Sequence, residues 1–240
     1  MKYITLSFFA VIIGGTSYCQ QTRIYNDPQD TYKQAKEYFQ KEQYSLAYPL
    51  LKELDQERKE THRINEPIVD QEIQYYLTVC GLKQNEDRAA NMATEYIEVE
   101  KNNPRTQMMS FHLAEYHFRK ENFTEAVQLY EQANIANLSN REIADMNFHQ
   151  GYAYFTMQNF AAAKPLFNTI RQMPDDPNYI DANYYYGFIA FRDRNYSDAL
   201  QSFKVVENEE NYLAVVPYYI TQIYYVQGQK DEAMPMLSKK

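Results

Sequence analysis

No glycine-rich phosphate loop, no Gly-x-Ser-x-Gly elbow and no cysteine placed beside a base occurs anywhere in the 240 residues, so the usual apparatus of nucleotide and acyl chemistry is missing. Six glycines are scattered along the chain, and no glycine-, serine- or proline-rich stretch marks a linker between domains. One continuous architecture follows. There are two cysteines, too few for a disulfide framework; Cys80, within the apolar run Tyr75 to Leu82, reads as a small core residue. Basic residues are outnumbered, 24 against 32 acidic, for a net charge of −8. With no basic stripe to offset it, this charge repels a phosphate backbone and excludes nucleic acid as a partner. The histidines are His62, His112, His117 and His149. His112 and His117 are five apart, which puts them on different helical faces, whereas a metal pair needs i, i+4 spacing. Neither a metal nor a cofactor is expected.

What is present is apolar and aromatic: 45% hydrophobic and 15% aromatic residues are ample for a packed core. The first nineteen residues differ from the rest. Lys2 precedes the apolar stretch Tyr3 to Ile13, and Gly14, Gly15, Thr16 and Ser17 follow, which is the layout of a secretory signal peptide covering residues 1–19. Cleavage after Cys19 leaves Gln20 first and implies export to the periplasm or cell envelope. Cys19 also invites comparison with lipidated exported proteins, but Tyr18 stands where those sites have a small residue. Membrane association is expected only if Cys19 carries a lipid. Elsewhere, Leu213 to Val226 is interrupted by Pro217, Thr221 and Gln222 and falls short of a membrane span.

Laid against itself, the remaining chain shows one motif six times. A small residue is followed twelve positions later by alanine, then four further on by a large apolar group. Ala114, Ala126, Tyr130 and Ala133 show it best. The others are Ala35, Ala47, Leu51, Leu54; Gly81, Ala93, Ile97; Gly151, Ala163, Phe167, Ile170; Gly187, Ala199, Phe203, Val206; and Thr221, Ala233, Leu237. The small residues are 46, 33, 37, 36 and 34 apart. Two antiparallel helices approach closely where small residues face each other. Lys120 to Phe123, Gln158 to Phe160 and Arg194 to Tyr196 read as the turns between such helices. Pro104, Pro174 and Pro217 fall between units, where they interrupt no helix interior. The long first spacing places extra residues at Asp55 to Glu66. Their charge predicts an extended second helix and a solvated loop.

This pattern resembles the tetratricopeptide repeat across nearly all of residues 20–240, with a missing tryptophan and the long first spacing as departures. It is similar to the repeat arrays of exported proteins in gliding and gut-type bacteria. The resemblance implies an all-α fold: a right-handed superhelical solenoid of about six helix-turn-helix units, near residues 28–59, 70–103, 107–138, 143–174, 180–210 and 214–240, the last incomplete. Such arrays share no reaction. They share a concave face lined by the first helix of each unit, which implies a non-catalytic scaffold for a protein or peptide partner. Some relatives clamp a C-terminal carboxylate with lysine and asparagine; Tyr32, Lys36, Thr78 and His112 do not reproduce that set.

On each first helix, the residues three before, one after and four after the small residue form a stripe. From the third unit it reads Phe111, Glu115, Phe118; Phe148, Tyr152, Phe155; Tyr184, Phe188, Phe191; Tyr218, Gln222, Tyr225. Ten of these twelve are aromatic, where about two are expected from composition. Packing between successive first helices accounts for most of the phenylalanines. For a groove, the candidate contacts are Phe111, Tyr152, Tyr184, Phe188, Tyr218 and Gln222, with Arg119 and Arg192 at the edge, suited to a ligand carboxylate. A sugar chain stacking on the tyrosines, and an accessory role in outer-membrane protein assembly through a lipidated Cys19, are the alternatives.

Overall fold

The computed structural model describes residues 27–61, 67–99, 104–229 and 231–232, and every regular element in them is helical. Residues 1–19, with Cys19, and Ala233 and Leu237 of the sixth unit lie outside the described residues. The first unit pairs α1 (Pro28–Gln40) with α2 (Tyr44–Thr61), and the second pairs α3 (Pro67–Lys83) with α4 (Asp87–Val99). The third, fourth and fifth are α5 (Pro104–Arg119) with α6 (Phe123–Gln132), α7 (Asn140–Thr156) with α8 (Phe160–Ile170), and α9 (Tyr179–Arg192) with α10 (Tyr196–Val206). The first helix of the sixth is α11 (Val216–Val226). Each helix packs against its partner and its neighbours in sequence, and the first helices α1, α3, α5 and α7 touch in series. The result is an all-α repeat solenoid.

What sets the register is the turn inside each unit. One residue there adopts a left-handed conformation: Glu42, Asn85, Glu121, Gln158, Arg194 and Gly228, with φ between 57° and 77°. The next residue's amide donates back across the turn, as from Gln43 to the Tyr38 carbonyl (2.8 Å), Asn122 to His117 (2.9 Å), Asn159 to Tyr154 (2.8 Å) and Asn195 to Ala190 (2.8 Å). This is the Schellman closure, which satisfies carbonyls that a helix end leaves bare. In two units the same asparagine then starts the second helix: Asn159 accepts from the Ala162 amide and Asn195 from the Asp198 amide, as helix caps do. Successive left-handed residues are 43, 36, 37, 36 and 34 apart.

That spacing corrects the alignment of the second unit. In the other five units the small residue lies seven before the left-handed one; seven before Asn85 is Thr78, not Gly81. Gly81 instead sits near the turn, where an added Cβ would come within 2.7 Å of Ala89 Cβ. The glycines of the fourth and fifth units also face something other than the paired alanine. A Cβ on Gly151 would meet the Phe167 ring at 3.1 Å, and one on Gly187 the Phe203 ring at 3.0 Å. Both rings are fully buried, so glycine makes room for a ring rather than for an alanine. The alanines Ala163 and Ala199 are themselves at 0% exposure.

Of the extra residues of the first unit, Asp55 to Thr61 lengthen α2, as their charge suggested, and residues 62–66, where the loop was expected, lie outside the described residues. The face of the lengthened helix is not simply solvated, however. Asp55 is buried and accepts from Arg58 (2.9 Å), Lys59 (2.6 Å) and the Gln74 amide of the next unit. Burial works to raise its carboxyl, but the Lys59 and Arg58 hydrogen bonds hold it below the ordinary carboxylate value. Cys80 is fully buried, and burial pushes its thiol up to about 12, which leaves it inert packing. Tyrosine hydroxyls tie unit to unit: Tyr32 to Glu72, Tyr48 to Glu86, Tyr116 to Asp87 at 2.6 Å and Tyr154 to Glu131 at 2.6 Å. A residue that is apolar along its length and polar at its tip suits such a seam.

Substitutions at two kinds of position test this account. Gly187→Leu forces α9 from α10 and is expected to cost about 3 kcal/mol by overpacking, read from the urea midpoint; an unchanged midpoint contradicts the packing. Arg194→Gly or Gln158→Gly relieves a left-handed residue and is expected to gain about 0.5–1 kcal/mol, read from the same curve.

Candidate functional site

The stripe residues are carried on the first helices, and the structure sorts them by depth. Phe111 is only 2% exposed and packs with Ala114, Ala126, Tyr130 and Met146. It is core, not a ligand contact, because α7 closes over it. Phe148 and Glu115 are buried as well. Phe118, Tyr152, Phe155, Tyr184, Phe188, Phe191 and Gln222 are half-buried. Tyr218 and Tyr225 are open, at 62% and 68%. The groove expected along four units therefore opens toward α9 and α11 and is filled at the α5–α7 junction.

The filling is specific. Glu115 accepts the Tyr130 hydroxyl at 2.6 Å, and His149 Nδ1 of the next unit lies 2.9 and 3.1 Å from its two carboxylate oxygens. Phe118 stacks on His149 with ring centroids 4.2 Å apart. Burial works to raise the Glu115 carboxyl, yet the bonds from His149 and Tyr130 keep it below the ordinary value. A buried carboxylate with these partners joins two units, and losing one partner strands the charge. His112, against the Tyr75 and Phe111 rings, is also enclosed. Burial lowers its ring to about 3, helped by Lys83, so it stays neutral. His117 is half-buried on another face, as the five-residue spacing requires.

Neither arginine hangs free at the edge. Arg119 donates to the Leu82 carbonyl (2.7 Å) and to Asn85 Oδ1 (3.0 Å), gripping the turn of the preceding unit. The Arg192 guanidinium lies 4.2 Å over the Phe160 ring, beside the Lys164–Asp193 ion pair at 2.6 Å. Both act as latches between units, so a carboxylate clamp from this pair is not formed. They border the inner stripe without entering it.

Beyond the stripe, the structure brings in residues that the sequence reading passed over. Tyr185 meets Tyr152 at 5.4 Å and Phe155 at 4.9 Å, and Tyr219 meets Phe188 at 6.0 Å and Phe191 at 5.2 Å. Tyr212, from the connection after α10, stacks on Tyr184 at 4.2 Å and donates to Asp181 at 2.5 Å. A signal for part of this existed. His112, His149, Tyr185 and Tyr219 recur at 37, 36 and 34 residues, each one position after the stripe's leading member. The outcome is a continuous belt of rings from Phe118 to Tyr219, half-buried and interleaved between first helices. Among the described residues no set of His, Cys, Asp and Glu is arranged to hold a metal, and no helix is long and apolar enough to cross a membrane.

Residues 84–137 and 148–211 match the family pattern of the tetratricopeptide repeat. The repeats within those two stretches are of the tetratricopeptide type. No curated protein matches the chain. Solved structures of similar fold include YrrB, described as a tetratricopeptide protein with an unusual peptide-binding site, at 18% identity and a TM-score of 0.55, covering 70% of this chain and 82% of that one. MamA from AMB-1 gives 17% identity and 0.55 over 71% and 90%. The pilF protein of Pseudomonas aeruginosa gives 15% and 0.54 over 87% and 88%. At these identities the likeness is one of fold, that of helical repeat proteins.

The neutral, buried His112 makes the array acid-sensitive in a defined window. Its folded-state value lies below its unfolded one, near 6.5, so the unfolded chain takes up a proton that the folded chain refuses. Stability is therefore fully present above about pH 6.5 and falls as pH drops toward 3. Between pH 7 and pH 5 the loss is expected to reach at most about 2 kcal/mol, and His112→Leu is expected to flatten the curve there. Parallel curves for both proteins contradict it.

Proposed function

We propose that the chain is a non-catalytic interaction scaffold that receives an extended segment of a partner protein along the inner face of α7, α9 and α11. The observation that carries this reading is the graded opening of the ring belt. Tyr152, Tyr184 and Phe188 are half-buried and Tyr218 and Tyr225 are exposed, so apolar faces and phenolic tips are offered side by side on rigid helices. Such surfaces bind through ring contact with hydrogen bonds at the edge. The repeat type supports a protein partner in general terms, since arrays of this kind present their concave face to other chains. The signal-peptide pattern of residues 1–19 supports a place in the bacterial envelope.

Selection of peptides from a displayed random library on the purified chain tests this, followed by titration of the selected peptides. Tyr184→Ala and Tyr218→Ala, each checked for retained helicity, are expected to weaken binding by about tenfold, the order of a buried aromatic contact. Peptides that bind all variants equally place the site elsewhere. Selection of no peptide, together with retention on a polysaccharide, favours the sugar-binding alternative.

A further inference from the structure

The charge along the same face narrows the partner, on the condition that the groove reading above holds. Between Arg141 at the start of α7 and Arg192 at the end of α9, neither first helix carries a lysine or arginine, and α11 carries no charged residue at all. What the face carries instead is carboxylate. Asp145 and Asp181 occupy the same place in successive units, 36 residues apart, one turn before the leading aromatics Phe148 and Tyr184. Asp181 accepts the Tyr212 hydroxyl, and Tyr212 stacks on Tyr184. Asp145 is half-buried, and no hydrogen bond reaches its side chain among the described residues. Burial raises its carboxyl above the ordinary value, and the nearby Glu115 and Asp176 add to the rise against His149 and Arg141.

From the half-buried carboxylates of Asp145 and Asp181, set on a face whose remaining lining is half-buried tyrosine and which bears no lysine or arginine between Arg141 and Arg192, we infer that the groove takes a cationic segment, with lysine or arginine side chains passing the tyrosines and ended at Asp145 and Asp181. Ring faces are negative and attract cations, most strongly where water is partly excluded. A carboxylate at the end of the ring row completes the site for an ammonium or guanidinium. Neighbouring first helices lie about 10 Å apart, and an extended chain advances about 3.3 Å per residue. Basic residues three apart therefore reach both carboxylates. The two edge arginines, spent on Leu82, Asn85 and Phe160, do not oppose this.

The test is fluorescence anisotropy of two labelled heptapeptides on the purified chain: lysine at the first, fourth and seventh positions with alanine between, and glutamate in the same places. The lysine peptide is expected to bind at least about tenfold more tightly. Asp145→Asn and Asp181→Asn are each expected to weaken it by about fivefold. Glu125→Gln, an equal change of charge on the exposed side of α6, is expected to leave it unaltered. Equal loss in Glu125→Gln reduces the effect to net charge and overturns the inference. So does a glutamate peptide that binds as well; if Tyr184→Ala then abolishes its binding, the groove survives and only its charge preference falls. Should neither peptide bind, the groove reading falls along with this one.

Discussion

Every feature of this chain that bears on function depends on one backbone constraint: a single residue held at positive φ between the two helices of each unit. That residue lets the first helix stop, lets its last carbonyls find donors, and aims the second helix back along the first. Because the device recurs at 36 or 37 residues through the middle of the chain, the first helices come out in register and their equivalent residues form rows. Five of the six left-handed residues are not glycine, so the local cost is carried by the packing that follows. In a solenoid such packing is with neighbours only, and the buried clusters here are likewise shared between adjacent units.

The rings of the first helices serve two purposes, and depth decides between them. At the α5–α7 junction the row is closed, with Phe111 sealed beneath α7 and Glu115 locked between Tyr130 and His149. Further along, the same positions hold Tyr184, Phe188 and Tyr218, and the row opens. Tyrosine suits both conditions. Its ring packs between helices, while its hydroxyl reaches a carboxylate across the seam, as Tyr116 reaches Asp87 and Tyr212 reaches Asp181. Among the described residues no tyrosine hydroxyl is buried without a hydrogen-bond partner, so the many rings pack without stranding their polar tips.

The helical repeat was legible because it is written in small residues and turns at a fixed distance, which local sterics enforce. The second unit was misaligned for the same reason. Gly81 is smaller than Thr78, and only the left-handed Asn85 reveals which of them keeps the spacing. Depth was much less legible. Phe111 and Tyr184 occupy equivalent places and differ by what the next helix lays over them, which no periodicity within one helix records. Arg119 and Arg192 stood at the right edge, but their partners, the Leu82 carbonyl and the Phe160 ring, come from the preceding unit. Long-range partners of this kind escape a reading of spacing alone. The extra charge of α2 was legible as added length, while the burial of Asp55 against Gln74 was not.

Residue-resolved amide hydrogen exchange at the turns is the most direct measurement of the central constraint. Asn122, Asn159 and Asn195 lie outside the helices on the exposed surface, yet each amide donates across the turn at 2.8–2.9 Å. The account predicts that these three amides exchange as slowly as those in the flanking helix ends, and far more slowly than exposed loop amides. Exchange at the rate of an unstructured peptide would contradict it, and the shared register of the first helices would lose its cause.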